Sequence, residues 1–185
     1  MTETRRIAIL VGSLRERSYN GMAARALAEL APEHLEMRFI SFGDLPLYDE
    51  DLEKAGPPEP WLRFRKEVNE CQAVLFVTPE YNRSVPGGLK NAIDVGSRPY
   101  GHSVWTRKPA AIMSVSPGAI GGFGANHHLR QSLVFLDMPV LQQPEAYVGG
   151  AAKLFDGEGK LVNDSTREFF TTFINAFAAL IEKAL

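Results

Sequence analysis

Short apolar runs alternate with amphipathic segments along the chain about five times over, and this alternation leaves few architectures open. Runs at residues 7–11, 35–40, 73–78 and 110–115 read as strands, and segments at 20–31, 61–71, 87–97 and 124–136 as helices. A Pro-rich loop at 55–60 precedes the second helix. Val140-Leu141 is expected to begin a fifth strand, and Asp156-Gly157-Glu158-Gly159 to form a tight turn. The closing helix, 164–184, places Phe169, Phe170, Phe173, Ile174, Phe177, Leu180 and Ile181 at helical spacing. Nearly continuous apolar strands separated by helices predict a parallel sheet covered on both faces, a doubly wound α/β sandwich. In such sheets ligands sit outside the carboxyl ends of the strands, where strand order reverses.

A chain of 185 residues, 45% hydrophobic, supplies one full-sized core and calls for no second domain, so residues 1–185 are expected to form one domain. Twenty Lys and Arg against 22 Asp and Glu leave a net charge of -2, which gives no footprint for nucleic acid or an anionic membrane. The stretch Met1-Thr2-Glu3-Thr4-Arg5-Arg6 leads into too few apolar residues for a signal peptide, and no run is long enough to span a bilayer. Cys71 is the single cysteine, which excludes an internal disulfide and fits a reducing cytoplasm. The four histidines lack metal-ligand spacing; His127-His128 reads as a helix surface or interface pair, and no metal site is expected.

Three unusual loops follow the first, third and fourth expected strands, so a parallel sheet turns them toward one cleft. The first, Gly12-Ser13-Leu14-Arg15-Glu16-Arg17-Ser18-Tyr19-Asn20, opens a helix. Helix N-terminal amides favour an anion there, and Ser13, Arg15, Ser18 and Asn20 can add donors. It carries neither the Gly-Lys-Ser/Thr of a Walker loop nor a G-x-G-x-x-G, so it reads as a cradle for a terminal monophosphate. An ordinary turn with Ser18 or Asn20 as N-cap is the plainer alternative. The second loop, 78–88, sets Pro79 and Pro86 on either side of Tyr81 and small polar residues, a rigid edge for a flat ligand. The third, 114–122, is Gly-rich, which lets backbone approach a ligand closely. A monophosphate at one end and a planar ring at the other describe FMN better than ATP.

Gly-Ser-Leu-Arg-x-x-Ser-x-Asn at 12–20, Pro-Glu-Tyr-Asn-x-Ser-x-Pro-Gly at 79–87, Leu-Lys-Asn-Ala-Ile-Asp at 89–94 and the Gly-rich loop from Ser116 together resemble the NADPH-dependent FMN reductase family, nearest to its chromate and quinone reductase branch. The resemblance spans essentially the whole chain. It implies a flavodoxin-like fold with strand order 2-1-3-4-5, non-covalent FMN, and a homodimer or homotetramer with flavin near the subunit boundary. By the same likeness Ser13, Arg15, Ser18 and Asn20 would hold the phosphate. Pro79, Glu80, Tyr81 and Asn82 would border the isoalloxazine and ribityl chain, and Ser116 would join from the third loop. Some relatives carry an aromatic at the position of Arg83, and an Arg-x-x-Tyr pattern where this chain has Gly124-Ala125-Asn126-His127.

The activity so implied is two-electron transfer from NADPH or NADH through FMN to a small-molecule acceptor: a quinone or, promiscuously, chromate, an azo dye or a nitroaromatic. Such chemistry needs no side-chain acid, base or nucleophile, so no catalytic residue is named; Glu80 and Tyr81 are read as positioning groups. Arg83, Arg98 and Arg107 are candidates for dinucleotide or acceptor charge. The rival reading is a flavodoxin-type electron carrier that does not oxidise NAD(P)H, against which the nearly neutral composition argues. A non-catalytic FMN sensor also stays open. A Cys-x5-Arg phosphate hydrolase is excluded, because Cys71 precedes the third strand and lies outside the phosphate loop. The helix at 124–136, apolar around much of its circumference, is expected at a subunit contact.

Overall fold

The computed structural model describes residues 3–185; Met1 and Thr2, the start of the stretch read as too short for a signal peptide, lie outside them. The strands are β1 (Arg5–Val11), β2 (Leu35–Phe39), β3 (Ala73–Thr78), β4 (Ala110–Val115) and β5 (Ala146–Val148). The helices are α1 (Tyr19–Leu30), α2 (Glu50–Ala55), α3 (Glu59–Asn69), α4 (Gly87–Gly96), α5 (Phe123–Phe135) and α6 (Asp164–Ala184). All strand pairs are parallel, in the order β2-β1-β3-β4-β5. This is the order the family resemblance implied, with its reversal between β1 and β3.

Each buried strand splits its side chains between two cores, because successive residues point to opposite faces. Ile7 and Ile9 of β1, with Leu75 and Val77 of β3, pack with Leu27 of α1 and Phe170, Phe173, Phe177 and Ile181 of α6. Ala8 and Leu10, with Val74 and Phe76, face Trp61 and Phe64 of α3, Leu89 of α4, and Leu129 and Leu133 of α5. The helical spacing read in the closing helix is the stripe of α6 that covers the first face.

Two expectations need correction. Val140 makes only an isolated bridge to Ala110, and β5 begins at Ala146. Pro144 has no N–H to give a ladder, so pairing that starts at Val140-Leu141 stops before it and resumes beyond. The second difference is α2, a six-residue helix with no buried residue, capped where Asp49 accepts the Asp51 N–H at 2.8 Å. Hydrophobic periodicity cannot reveal a helix that buries nothing. Its surroundings hold it instead: buried Asn91 of α4 donates to Pro46 O at 2.9 Å and accepts from Tyr48 N at 2.8 Å, while Trp61 Nε1 donates to Pro46 O at 3.0 Å.

Candidate functional site

β1, β3 and β4 are neighbours and run the same way, so the loops after them share one edge of the sheet. The first is drawn down onto that edge: Gly12 N donates to Val77 O at 2.8 Å, and a Cβ on Gly12 would stand 2.7 Å from Thr78 Oγ1. Ser18, buried in extended backbone, caps α1 by accepting the Gly21 N–H at 3.0 Å, and its own hydroxyl proton stays available. The N–H groups of Tyr19 and Asn20, first in the helix, have no intrahelical acceptor, and no acidic side chain occupies the first turn. Ser13 is buried beside them. Arg15 is exposed and forms no ion pair among the described residues. The plainer N-cap reading and the anion reading do not exclude each other: Ser18 is the cap, and its hydroxyl proton and the first helix amides stay free to donate.

Asn20 is the one residue here with an unmet need. Its Nδ2 donates one N–H to Val115 O at the end of β4 at 3.3 Å, while its buried Oδ1 has no partner among the described residues. An unsatisfied buried acceptor costs about 1–3 kcal/mol, which a ligand can relieve. Arg17, which the sequence did not single out, ties the loop to the tight turn expected at 156–159 by donating to Gly157 O at 2.5 Å. That turn is set by Asp156, whose carboxylate accepts the Lys160 and Glu158 N–H groups at 2.9 Å each, bonds that hold it below the usual carboxylate range.

The second loop closes on itself. Tyr81 N to Ser84 O and Ser84 N to Tyr81 O are both 3.0 Å, and the two central residues, Asn82 at φ 50° and Arg83 at φ 64°, are left-handed, as a type I′ turn demands. Asn tolerates that backbone; Arg is strained in it. The turn presents Tyr81 half exposed. Pro79 and Glu80 lead into it, but the Glu80 side chain turns away: Oε2 accepts the Ala125 N–H at 3.0 Å. It caps α5 in place of Gly122, which has no side chain to do so.

In the third loop Ser116 accepts from Gly118 N through Oγ at 3.1 Å and donates its own N–H to Val148 O at 2.9 Å. Gly121 is required by the protein itself, and Gly149 on the neighbouring loop after β5 likewise, whereas Gly118 has room for a side chain. A Cβ on Gly121 would lie 2.6 Å from the Tyr147 carbonyl carbon, and one on Gly149 would lie 2.5 Å from Ala119 O.

All nine residues singled out in sequence, Ser13, Arg15, Ser18, Asn20, Pro79, Glu80, Tyr81, Asn82 and Ser116, thus fall on the three loops of one sheet edge. Arg83 is there too. Arg98 and Arg107 are not: both lie on the connection leading into β4, at the opposite edge, where Arg98 covers the Tyr48 ring and Arg107 faces Asp137. A further cluster went unseen. His127 Nε2 and Tyr147 Oη are 2.8 Å apart, with the Phe123 ring 4.2 Å from that of His127. Burial first, then the Glu145 carboxylate, pushes Tyr147 up to about 12, so it is a neutral phenol at physiological pH. No local signal joins positions 20 residues apart. Among the described residues no helix is long and apolar enough to cross a membrane.

The sequence model of a family described as NADPH-dependent FMN reductase matches residues 5–153. A quinone reductase of Pseudomonas putida is 63% identical over 98% of this chain and 97% of its own length. A 2-hydroxy-1,4-benzoquinone reductase of Burkholderia sp. is 44% identical over 95% of this chain and 96% of its own. Among solved structures, the flavoenzyme NAD(P)H:(acceptor) oxidoreductase FerB of Paracoccus denitrificans superposes with a TM-score of 0.92 at 40% identity, covering 98% of this chain and 99% of that one. A flavodoxin of Pseudomonas aeruginosa, 17% identical with a TM-score of 0.56 over 96% of this chain and 99% of its own, bears on the fold alone.

Proposed function

The chain belongs to the NADPH-dependent FMN reductase family, and from that premise we propose that it is an FMN-dependent NAD(P)H oxidoreductase whose acceptors are quinones. The carrying observation is the meeting of an anion-donor loop with two ring-bordering loops on the ends of three adjacent strands. The donor set fits a phosphate: the Ser18 hydroxyl, the N–H groups of Tyr19 and Asn20, Ser13 and the Arg15 guanidinium are all hydrogen-bond donors. The turn at 81–84 offers a flat, half-exposed border at the ring end, and Ser116 closes the third side. Bound FMN supplies the redox step, accepting two electrons from NAD(P)H and giving them to the acceptor. The chain's own residues bind and orient. An open edge at Tyr81 selects weakly among acceptors, so chromate, azo dyes and nitroaromatics belong to the same proposal. So do a single domain, a cytoplasmic setting suited to the one buried thiol of Cys71, and a homodimer or homotetramer. For assembly, the exposed Phe123, Val134 and Phe135 of α5 supply apolar surface that the sheet does not cover.

One flavin edge serving donor and acceptor in turn gives ping-pong kinetics, so double-reciprocal plots at several quinone concentrations are expected to be parallel. Intersecting lines would mean both substrates bind together. If NADPH leaves the bound flavin oxidised in an anaerobic mix, while chemically reduced protein passes electrons to a protein acceptor, the carrier reading replaces this one. At the phosphate end, Arg15→Ala is expected to weaken FMN by about 1.5–3 kcal/mol, as for a charged hydrogen bond, and to leave riboflavin nearly unchanged. Titration of the apoprotein with both flavins reads this directly, and equal losses would assign Arg15 to fold integrity instead.

A further inference from the structure

The turn at 81–84 closes on itself, and that closure leaves its direction open. Its backbone bonds run between Tyr81 and Ser84 at 3.0 Å each, and its centre is strained, with Arg83 held at φ 64°. A turn that pairs only with itself can pivot on its feet. Contacts with the first two turns of α5 fix its angle. On the entry side Glu80 Oε2 accepts the Ala125 N–H at 3.0 Å. Near the tip the Arg83 carbonyl rests against Gly124, so close that a Cβ there would stand 3.2 Å from its oxygen. On the exit side Ser84 Oγ and His128 Nδ1 are 2.6 Å apart, a hydrogen bond in either tautomer of the ring. Positions 124, 125 and 128 are spaced i, i+3 and i+4 along the helix, so they form one face, and the turn is seated on it.

The adjacent histidines of α5 thereby take different partners. Neighbours on a helix point about 100° apart. His127 reaches Tyr147 Oη at 2.8 Å on the β5 side, while His128 reaches Ser84 on the β3 side, so the two rings tie α5 to the segments on either flank. Ser84 has spent both its N–H and its C=O within the turn, which leaves the hydroxyl to make the outward bond. Val85, next in the chain, is buried, so the exit foot is pinned and the hydroxyl bond sets how the turn stands upon it. Glu80 by itself would be a hinge; His128 adds a second point off its axis. Resting on the FMN reading above, we propose that His128 is a positioning residue: through Ser84 it sets the angle at which the turn, and Tyr81 with it, stands at the ring end of the cleft where acceptors enter.

Arg83 supplies a readout that needs no flavin, since its side chain is 76% exposed and makes the turn a trypsin site. Cleavage after Arg83 requires the turn to leave its seat, so its rate follows the population of the open form. His128→Ala and Ser84→Ala are each expected to speed that cut by roughly two- to tenfold, the range for one neutral hydrogen bond, with the 1–83 and 84–185 fragments followed by mass spectrometry. The same variants should raise quinone KM by a similar factor and leave kcat within about twofold. The double variant should be no worse than either single one, because both remove the same bond. His128→Asn, whose amide group stands as many bonds from the backbone as Nδ1, is expected to restore both readouts; His128→Gln, one bond longer, is not. Wild-type cleavage and KM in the single variants, or losses that add in the double variant, would overturn the proposal. So would faster cleavage with unchanged KM, which would mean that His128 seats the turn but the turn does not face the acceptor. Urea midpoints check the fold, and if His128→Ala does not fold, Ser84→Ala makes the same comparison from the other side of the bond. FMN-loaded wild-type protein that reduces no quinone would overturn the functional reading itself, an outcome distinct from every one above.

Discussion

Gly121→Ala is expected to destabilise the protein by about 2–4 kcal/mol and to take most of its FMN affinity with it, because two independent costs fall on one residue. The backbone at Gly121 is left-handed, φ 66°, and the new Cβ would arrive 2.6 Å from the Tyr147 carbonyl carbon, 2.7 Å from its oxygen and 2.8 Å from Val148 N. None of these atoms can step aside. They are the backbone of β5, held in register by the pairing of Ser114 with Tyr147 and Val115 with Val148. The strain is therefore released in the third loop, which moves Ser116 and the start of α5, where Glu80 is anchored. Gly118→Ala in the same loop is the contrast: its nearest neighbour is Ser116 Oγ at 3.5 Å and its φ is not positive, so stability and FMN binding should be nearly unchanged. Denaturant midpoints of the apoproteins and FMN titrations decide the matter. Wild-type values for Gly121→Ala would show that the loop has room for the shift.

The difference between those glycines marks where the sequence stops being readable. Gly118, Gly121 and Gly122 look alike in a Gly-rich run, and only the path of β5 says which of them is obligatory. β5 itself was misplaced for a related reason: three residues, Ala146-Tyr147-Val148, are too few to show a pattern, while Val140-Leu141 looks as apolar as a strand start should. β1, β3 and β4 were legible because burial on both faces demands an unbroken apolar run, and parallel topology then fixed where their loops must meet. The strand order needed the family likeness; alternation alone gives the layers and not their sequence.

Side-chain direction was the other hidden quantity. Glu80 was placed at the right loop, yet its carboxylate turns to the N-terminus of α5, a partner 45 residues away. Asn20 was read as a donor at its own loop, and its Nδ2 also reaches Val115 O at the end of β4, 95 residues away. His127 and Tyr147 form a pair that neither position announces. In each case the residue type was informative and the partner was not, since partners come from packing between elements that periodicity treats one at a time.

The same limit hid a pair that ties α2 to α3, and its removal is the second large effect expected. Arg65 of α3 grips Glu53 of α2 with both terminal nitrogens, at 3.0 and 2.5 Å, and the side chains are only 11% and 12% exposed. Arg65 also donates through Nε to Val95 O at 2.9 Å and lies over the Trp61 ring. Because α2 buries no residue of its own, this grip fastens it together with the bonds that Asn91 and Trp61 make to the segment before it. Glu53→Ala leaves the guanidinium desolvated with one neutral acceptor, and a loss of about 3–5 kcal/mol is expected in urea unfolding, as for other broken buried pairs. The pair as a whole is worth far less than its halves, since its mutual attraction largely offsets two desolvation costs. Replacing both residues together, Glu53→Leu with Arg65→Met, should therefore recover most of what Glu53→Ala loses. FMN affinity of the folded variants should stay close to wild type, because neither residue belongs to the three loops. A Glu53→Ala protein within about 0.5 kcal/mol of wild type would mean that water reaches the guanidinium once the carboxylate is gone and that α2 is held by Asn91 and Trp61 alone.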